Sequence, residues 1–116
     1  MCRNNFEIVH VLLEQPGIEI SPSLFQRNCE LVQFSIPSSA TKIGDSAFLG
    51  CTSLKKIVIP SSVTIIDNYA FEKCESLVEV NIPDSAVQIG KYAFRSCLSL
   101  KEILIPSSVT SINDYA

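Results

Sequence analysis

The chain has 116 residues, the length of one ordinary domain, and its 47% apolar content is enough to build a core. Nine Lys and Arg against twelve Asp and Glu leave a formal net charge of −3, which argues against a general electrostatic hold on nucleic acid or on an anionic membrane. The apolar stretch Ile8 to Leu13 is short and interrupted by His10, far below the ~20 residues of a spanning helix, so no membrane insertion is expected. Arg3 is followed by too brief an apolar run, closed by Glu14, to read as a secretory signal. No Asn-x-Ser/Thr acceptor occurs in the chain.

In chain order, residues 1–30 come first and are a worn copy of the later units. Phe25 stands 23 positions before Phe48, Ile20 before Ile43 and Leu13 before Ile36, but Glu14 replaces the proline of later units, Leu24 replaces an alanine, and Cys29 falls one place late. They read as a degenerate first coil acting as a cap, because a terminal repeat has one face without a neighbour. From residue 31 the array is regular. Ile-Pro pairs begin at 36, 59, 82 and 105, a period of 23 without slippage, and the last unit stops at Ala116. The domain reading is therefore a cap over 1–30 and a repeat array over 31–116 whose last unit is truncated.

Each unit predicts the same local structure. Leu54-Lys55-Lys56-Ile57-Val58-Ile59 is strand-like, with Ile57 and Ile59 on one side and Lys56 and Val58 on the other. Pro60 ends it, having no N–H for a ladder, and Ser61-Ser62 turn the chain. Val63 to Ile66 is a second short β stretch. Asp67 or Asn68 is then expected to cap a short helical turn that carries Ala70, Phe71 and Cys74 on one face. Gly44 and Gly90 recur at the end of the second β stretch, where the turn is expected to require a positive φ.

One such coil cannot bury its own apolar residues, but stacked coils can, with equivalent residues about 4.7–5 Å apart. The core then consists of ladders: Ile43/Ile66/Ile89/Ile112, Phe48/Phe71/Phe94 and Leu31/Leu54/Leu77/Leu100. The fold class is an α/β repeat solenoid.

The pattern L-x-x-I-x-I-P-x-S-[VA]-T-x-I-x-x-x-A-F-x-x-C-x-S-L is filled in one continuous stretch by Leu54, Ile57, Ile59, Pro60, Ser62, Val63, Thr64, Ile66, Ala70, Phe71, Cys74, Ser76 and Leu77. It resembles the leucine-rich repeats of the BspA-like family. The resemblance implies a leucine-rich-repeat arc with its short parallel strands on the concave side. It also implies a surface or secreted protein concerned with adhesion to host proteins or to other cells.

No catalytic, cofactor or metal set is legible. His10 is the single histidine, and it lies on an apolar run of the cap. The four glycines have no phosphate-loop context. Cys51, Cys74 and Cys97 follow the repeat rather than a metal motif, and no C-x-x-C occurs. They are expected to be buried, reduced thiols acting as small apolar side chains. Tyr69, Tyr92 and Tyr115 form a further column, with Ser46 in register, expected to pack between coils with hydroxyls in water.

The outward strand positions are the candidate site. One column holds Gln33, Lys56, Glu79 and Glu102; the next holds Ser35, Val58, Asn81 and Leu104. They vary from unit to unit while the core columns do not. Val58 and Leu104 add apolar side chains to that face. The sequence therefore predicts a non-enzymatic module that binds a protein ligand through the concave sheet. A structural spacer or stalk is the alternative, and association through the uncapped C-terminal end accompanies either.

Overall fold

The computed structural model describes residues 18–116, with side chains from Glu19 onward. Residues 1–17, with His10 and Leu13, lie outside the described residues. The strands are β1 (Ile18–Ile20), β2 (Gln33–Ser35), β3 (Ala40–Ile43), β4 (Lys56–Val58), β5 (Ile65–Ile66), β6 (Glu79–Val80), β7 (Gln88–Ile89) and β8 (Ser111–Ile112). They alternate between two parallel sheets, ordered β1-β3-β5-β7-β8 and β2-β4-β6. The 23-residue period sets the register: Gln33 pairs with Lys56 and Lys56 with Glu79 in the three-stranded sheet. In the five-stranded sheet the ladder runs Ile20, Ile43, Ile66, Ile89, Ile112. Each proline still offers its carbonyl, which accepts from the N–H three residues on: Pro37 from Ala40, Pro60 from Val63, Pro83 from Ala86 and Pro106 from Val109. These bonds turn the chain from one sheet to the other.

The core is the expected set of ladders. Phe25, Phe48 and Phe71 are fully buried. Their rings stack at 5.1 Å, and Phe71 meets Phe94 at 5.3 Å, close to the spacing of neighbouring strands. Phe34, in a column filled later by Ile57, tilts against Phe25 at 4.9 Å and Phe48 at 6.0 Å. This larger ring fills the first described coils.

The third side of each coil corrects the expected helical turn: no helix occurs among the described residues. The chain there is a run of tight turns whose N–H groups alternate in destination. Ala47, Leu49 and Cys51 donate within the coil to Gly44, Ser46 and Phe48. Ser46, Phe48 and Gly50, between them, donate to Asn68, Ala70 and Glu72 of the next coil at 2.8–2.9 Å. An α-helix would need all these N–H groups for its own i→i−4 bonds. This alternation goes with left-handed backbone at Ser46 (φ 59°) and Gly50 (φ 74°), which breaks any helical run. The Tyr column shares that geometry, with Tyr69 at φ 60°, Tyr92 at 55° and Tyr115 at 59°. Nor does Asp67 or Asn68 cap a helix. Asp67 Oδ1 accepts from the Asn68 N–H at 2.7 Å, and Asn68 Oδ1 accepts from the Lys91 N–H of the next coil at 2.8 Å.

Gly44 and Gly90 are also corrected. The only glycine with positive φ among the described residues is Gly50. At Gly44 a Cβ would stand 2.5 Å from the Ile20 carbonyl oxygen and 2.8 Å from Pro22 N. At Gly90 it would stand 2.5 Å from Asn68 N. These glycines let one coil's backbone close on the previous one.

The ladders open toward the C-terminus. Phe94, Cys97 and Leu100 are half-buried rather than buried, and Ile112 is 56% exposed. The second sheet and the turns continue to the end, with Tyr92 N–H donating to Asp114 and Phe94 N–H to Ala116. The three-stranded sheet does not: residues 101–105 form no strand and no backbone bond to β6.

Candidate functional site

The face of β2, β4 and β6 is built by alternation. Phe34, Ile57 and Val80 turn inward. Gln33, Ser35, Lys56, Val58 and Glu79 are exposed on the other side. Ser35 pairs directly with Val58, which is 40% exposed. A shallow depression of about 150 Å³ lies over β2 and β4, lined by Gln33, Phe34, Ser35, Lys56 and Val58. In the column of Lys56, Glu79 and Glu102 the single positive charge is partly cancelled, because Lys56 Nζ reaches Glu79 Oε2 at 3.2 Å. Both side chains are more than half exposed, so the pair contributes little to stability.

The remaining candidates are placed differently. Asn81 follows the last residue of β6, and Glu102 and Leu104 lie on the unpaired segment 101–105. Leu104 is 79% exposed. Glu79, Asn81, Glu102 and Leu104 instead line a cleft of about 450 Å³ between β6 and that segment. Sequence columns could not indicate this opening, since the residues at 100–105 match the earlier strands.

The Tyr column is an inter-coil stack. Tyr69 and Tyr92 rings lie 5.6 Å apart and Tyr92 and Tyr115 5.1 Å apart. Arg95 covers the Tyr92 ring at 4.1 Å and forms an ion pair with Glu72, a buried carboxylate. Glu72 carried no signal in the sequence, since its column holds Gln26, Leu49 and Arg95 elsewhere.

The thiols are structural. Cys51, Cys74 and Cys97 are free, and each donates to a carbonyl 26 residues earlier: Cys51 to Phe25, Cys74 to Phe48 and Cys97 to Phe71, at 3.1–3.2 Å. Burial pushes the Cys51 thiol up to about 12 and Cys97 to about 11. Cys74 is raised by burial first and by the thiols on either side second. Such groups are protonated and unreactive at neutral pH. Cys29, outside the column, is disulfide-bonded. Its chain neighbour Asn28 takes the thiol position and is fully buried. Asn28 Oδ1 accepts from the N–H of Glu30 at 3.1 Å and of Leu31 at 3.2 Å, turning the chain toward β2. Among the described residues no group of three His, Cys, Asp or Glu side chains is placed to hold a metal. No helix among them is long and apolar enough to cross a membrane.

The comparisons agree with this geometry. The family model for the BspA type leucine rich repeat region matches residues 18–116 in six copies. A leucine-rich repeat protein of T. pallidum is 40% identical, with a TM-score of 0.80, over 82% of this chain and 44% of its own. A leucine-rich repeat protein from Bacteroides ovatus is 36% identical, with a TM-score of 0.78, over 82% of this chain and 24% of its own. The chain thus spans less than half the length of either. No curated protein matches it. With the family model covering most of the chain and the Phe, Ile and Leu ladders stacking from coil to coil among the described residues, the protein belongs to the BspA-type leucine-rich-repeat family.

Proposed function

We propose that this chain is a non-enzymatic protein-binding module that recognises its partner through the outward face of the three-stranded sheet. The residues are Gln33, Ser35, Lys56, Val58, Glu79, Asn81, Glu102 and Leu104. One observation supports the reading: Gln33, Ser35, Lys56, Val58 and Glu79 are exposed and differ between coils, while the inward residues of the same strands, Phe34, Ile57 and Val80, are all apolar. Exposed Val58 and Leu104 give the face apolar contact area among polar neighbours. Residues 1–30 serve as the capping coil and 31–116 as the array. Adhesion at a cell surface is the setting that the family resemblance suggests for such a module.

The test is capture of partners by the immobilised chain, followed by ranking of variants. Val58→Asp and Leu104→Asp weaken capture while urea unfolding stays close to wild type, and Tyr69→Ser and Tyr92→Ser leave capture intact. Loss of capture on the Tyr substitutions alone would move the site to the opposite side; no specific capture at all would leave a spacer. Association of copies through the last coil, where Leu98, Ile112 and Tyr115 are exposed, is a companion proposal. Sedimentation across a concentration series tests it, and a monomer throughout removes it.

A further inference from the structure

The cleft beside β6 differs in kind from the face around it. Elsewhere in the three-stranded sheet a strand lies beside its neighbour from the next coil, Gln33–Ser35 against Lys56–Val58 and those against Glu79–Val80. At β6 the succession stops. The turn side and second sheet of the last coil remain bonded, Thr110 N–H to Val87 and Asn113 N–H to Ile89, while residues 101–105 stand off and leave a cavity of about 450 Å³. One wall is the outer edge of β6, a two-residue strand that ends the three-stranded sheet and has no ladder partner on that side. The side chains around it are apolar, Val80, Ile82 and Ile103 among them, with three carboxylates, Glu79, Asp84 and Glu102, and no basic residue. Glu79 is paired with Lys56; Asp84 and Glu102 have no ion-pair partner among the described residues.

We propose that this cleft takes an extended basic segment of a partner protein, which adds as a strand to the free edge of β6. Backbone bonds to β6 supply the grip. Alternate apolar side chains enter the space above Val80 and Ile103, and Lys or Arg side chains meet Asp84 and Glu102. The charge of the lining selects a basic occupant over an acidic one. This rests on the reading that this face binds protein, and it names the partner's local chemistry.

The probe is a fluorescein-labelled capped heptapeptide of alternating Lys and Val, read by anisotropy against the full chain. Three comparisons are expected to weaken binding about tenfold or more: N-methylation of alternate amides, which removes backbone donors; Glu in place of Lys in the peptide; and the Asp84→Lys/Glu102→Lys variant. Hydrogen exchange is the second measurement. In the free protein the amides of Glu102 to Leu104 exchange rapidly while Ile57 is protected, and the peptide slows both Val80 and Ile103. Equal binding of the N-methylated or acidic peptide, or no binding of the parent peptide, overturns the proposal. So does strong protection of residues 101–105 in the free chain, which means that the cleft is closed in solution. Protection there that rises with protein concentration alone identifies a second copy as the occupant and also overturns it. None of these results removes the face as a protein-binding surface, because that reading is decided separately, by partner capture on the immobilised chain and its response to the Val58→Asp and Tyr substitutions.

Discussion

Cys74 Sγ donates to the carbonyl oxygen of Phe48 at 3.2 Å, across 26 residues of sequence and one coil of the solenoid. The bond ties a column that looks purely apolar in sequence to the backbone of the preceding coil. It also decides what a substitution costs. A serine hydroxyl sits on a shorter bond than a thiol and prefers an acceptor at ~2.7–2.8 Å, so it reaches the Phe48 carbonyl poorly. Cys74→Ser is therefore expected to cost about 1–3 kcal/mol, the range for a poorly satisfied buried hydroxyl. Urea unfolding followed by circular dichroism measures it. A serine variant as stable as wild type would mean that the coil adjusts to bring the oxygen close.

The repeats, the ladders and the parallel stacking are legible because the pattern recurs with a fixed period of 23, from Ile36 to Ile59 to Ile82 to Ile105. The helical turn is not, for a physical reason. Ala70, Phe71 and Cys74 have helical spacing, but the N–H groups of Tyr69, Phe71 and Lys73 are bonded to Lys91, Ala93 and Arg95 of the next coil. Local spacing cannot report a bond whose partner is 22 residues away. The glycines illustrate the same limit. Gly44 recurs for an inter-coil contact with Ile20 and Pro22, which a single unit does not contain. At the candidate site, the outward identity of Lys56 and Val58 follows from alternation, whereas the separation of Glu102 and Leu104 from β6 does not.

Left-handed backbone gives a stabilising prediction. One turn position is filled in successive coils by Arg27 (φ 59°), Gly50 (φ 74°), Lys73 (φ 62°) and Ser96 (φ 62°). An L residue there bears a cost of ~1–2 kcal/mol that glycine avoids. Glycine's extra freedom in the unfolded chain takes part of that back. Lys73→Gly and Ser96→Gly are each expected to stabilise by about 0.5–1 kcal/mol. Gly50→Ala is expected to destabilise by a similar amount. The comparison is made by shifts in urea midpoint at unchanged m-value.

Gly44 and Gly90 predict a larger loss. The added methyl of Gly44→Ala meets backbone atoms of Ile20 and Pro22, and that of Gly90→Ala meets backbone of Asp67 and Asn68. Neither wall is a side-chain tip that can swing aside. Each substitution is expected to cost about 2–3 kcal/mol by overpacking. Hydrogen exchange localises it: protection falls at the Gly44 and Gly90 amides, which donate to Ile20 and Ile66.

The thiol column predicts an alkaline limit. Burial raises Cys51 from an ordinary 9.0 to about 12 and Cys97 from 9.0 to about 11, and raises Cys74 by burial and neighbouring thiols. Above the ordinary value the unfolded chain releases these protons while the folded chain keeps them. The unfolded state then binds fewer protons, so stability falls as pH rises. The contribution is complete below about pH 9 and is lost progressively from there toward the folded values. Urea midpoints between about pH 8 and about pH 11 track this loss. The Cys51→Ala/Cys74→Ala/Cys97→Ala variant isolates it from Tyr and Lys titration, and a parallel pH slope in that variant would remove the thiols as the cause.

Tyr92 is the most heavily contacted of the stacked tyrosines. Its ring faces Tyr69 on one side and Tyr115 on the other, with Arg95 at 4.1 Å and Lys91 Nζ at 5.2 Å. Arg95 is itself held by Glu72. Tyr115, at the end of the column, is 74% exposed and has one ring neighbour. A stacked aromatic pair is worth about 0.5–1.5 kcal/mol beyond area and a cation over a ring at least ~0.5 kcal/mol. Tyr92→Ala is therefore expected to cost about 2–3 kcal/mol and Tyr115→Ala under about 1 kcal/mol. The Tyr92→Ala/Arg95→Ala double variant is expected to lose less than the two single variants together, because each removes the same contact. Additive losses in that cycle would show that the guanidinium and the ring act independently, leaving the stack alone to hold the turn side of the coils in register.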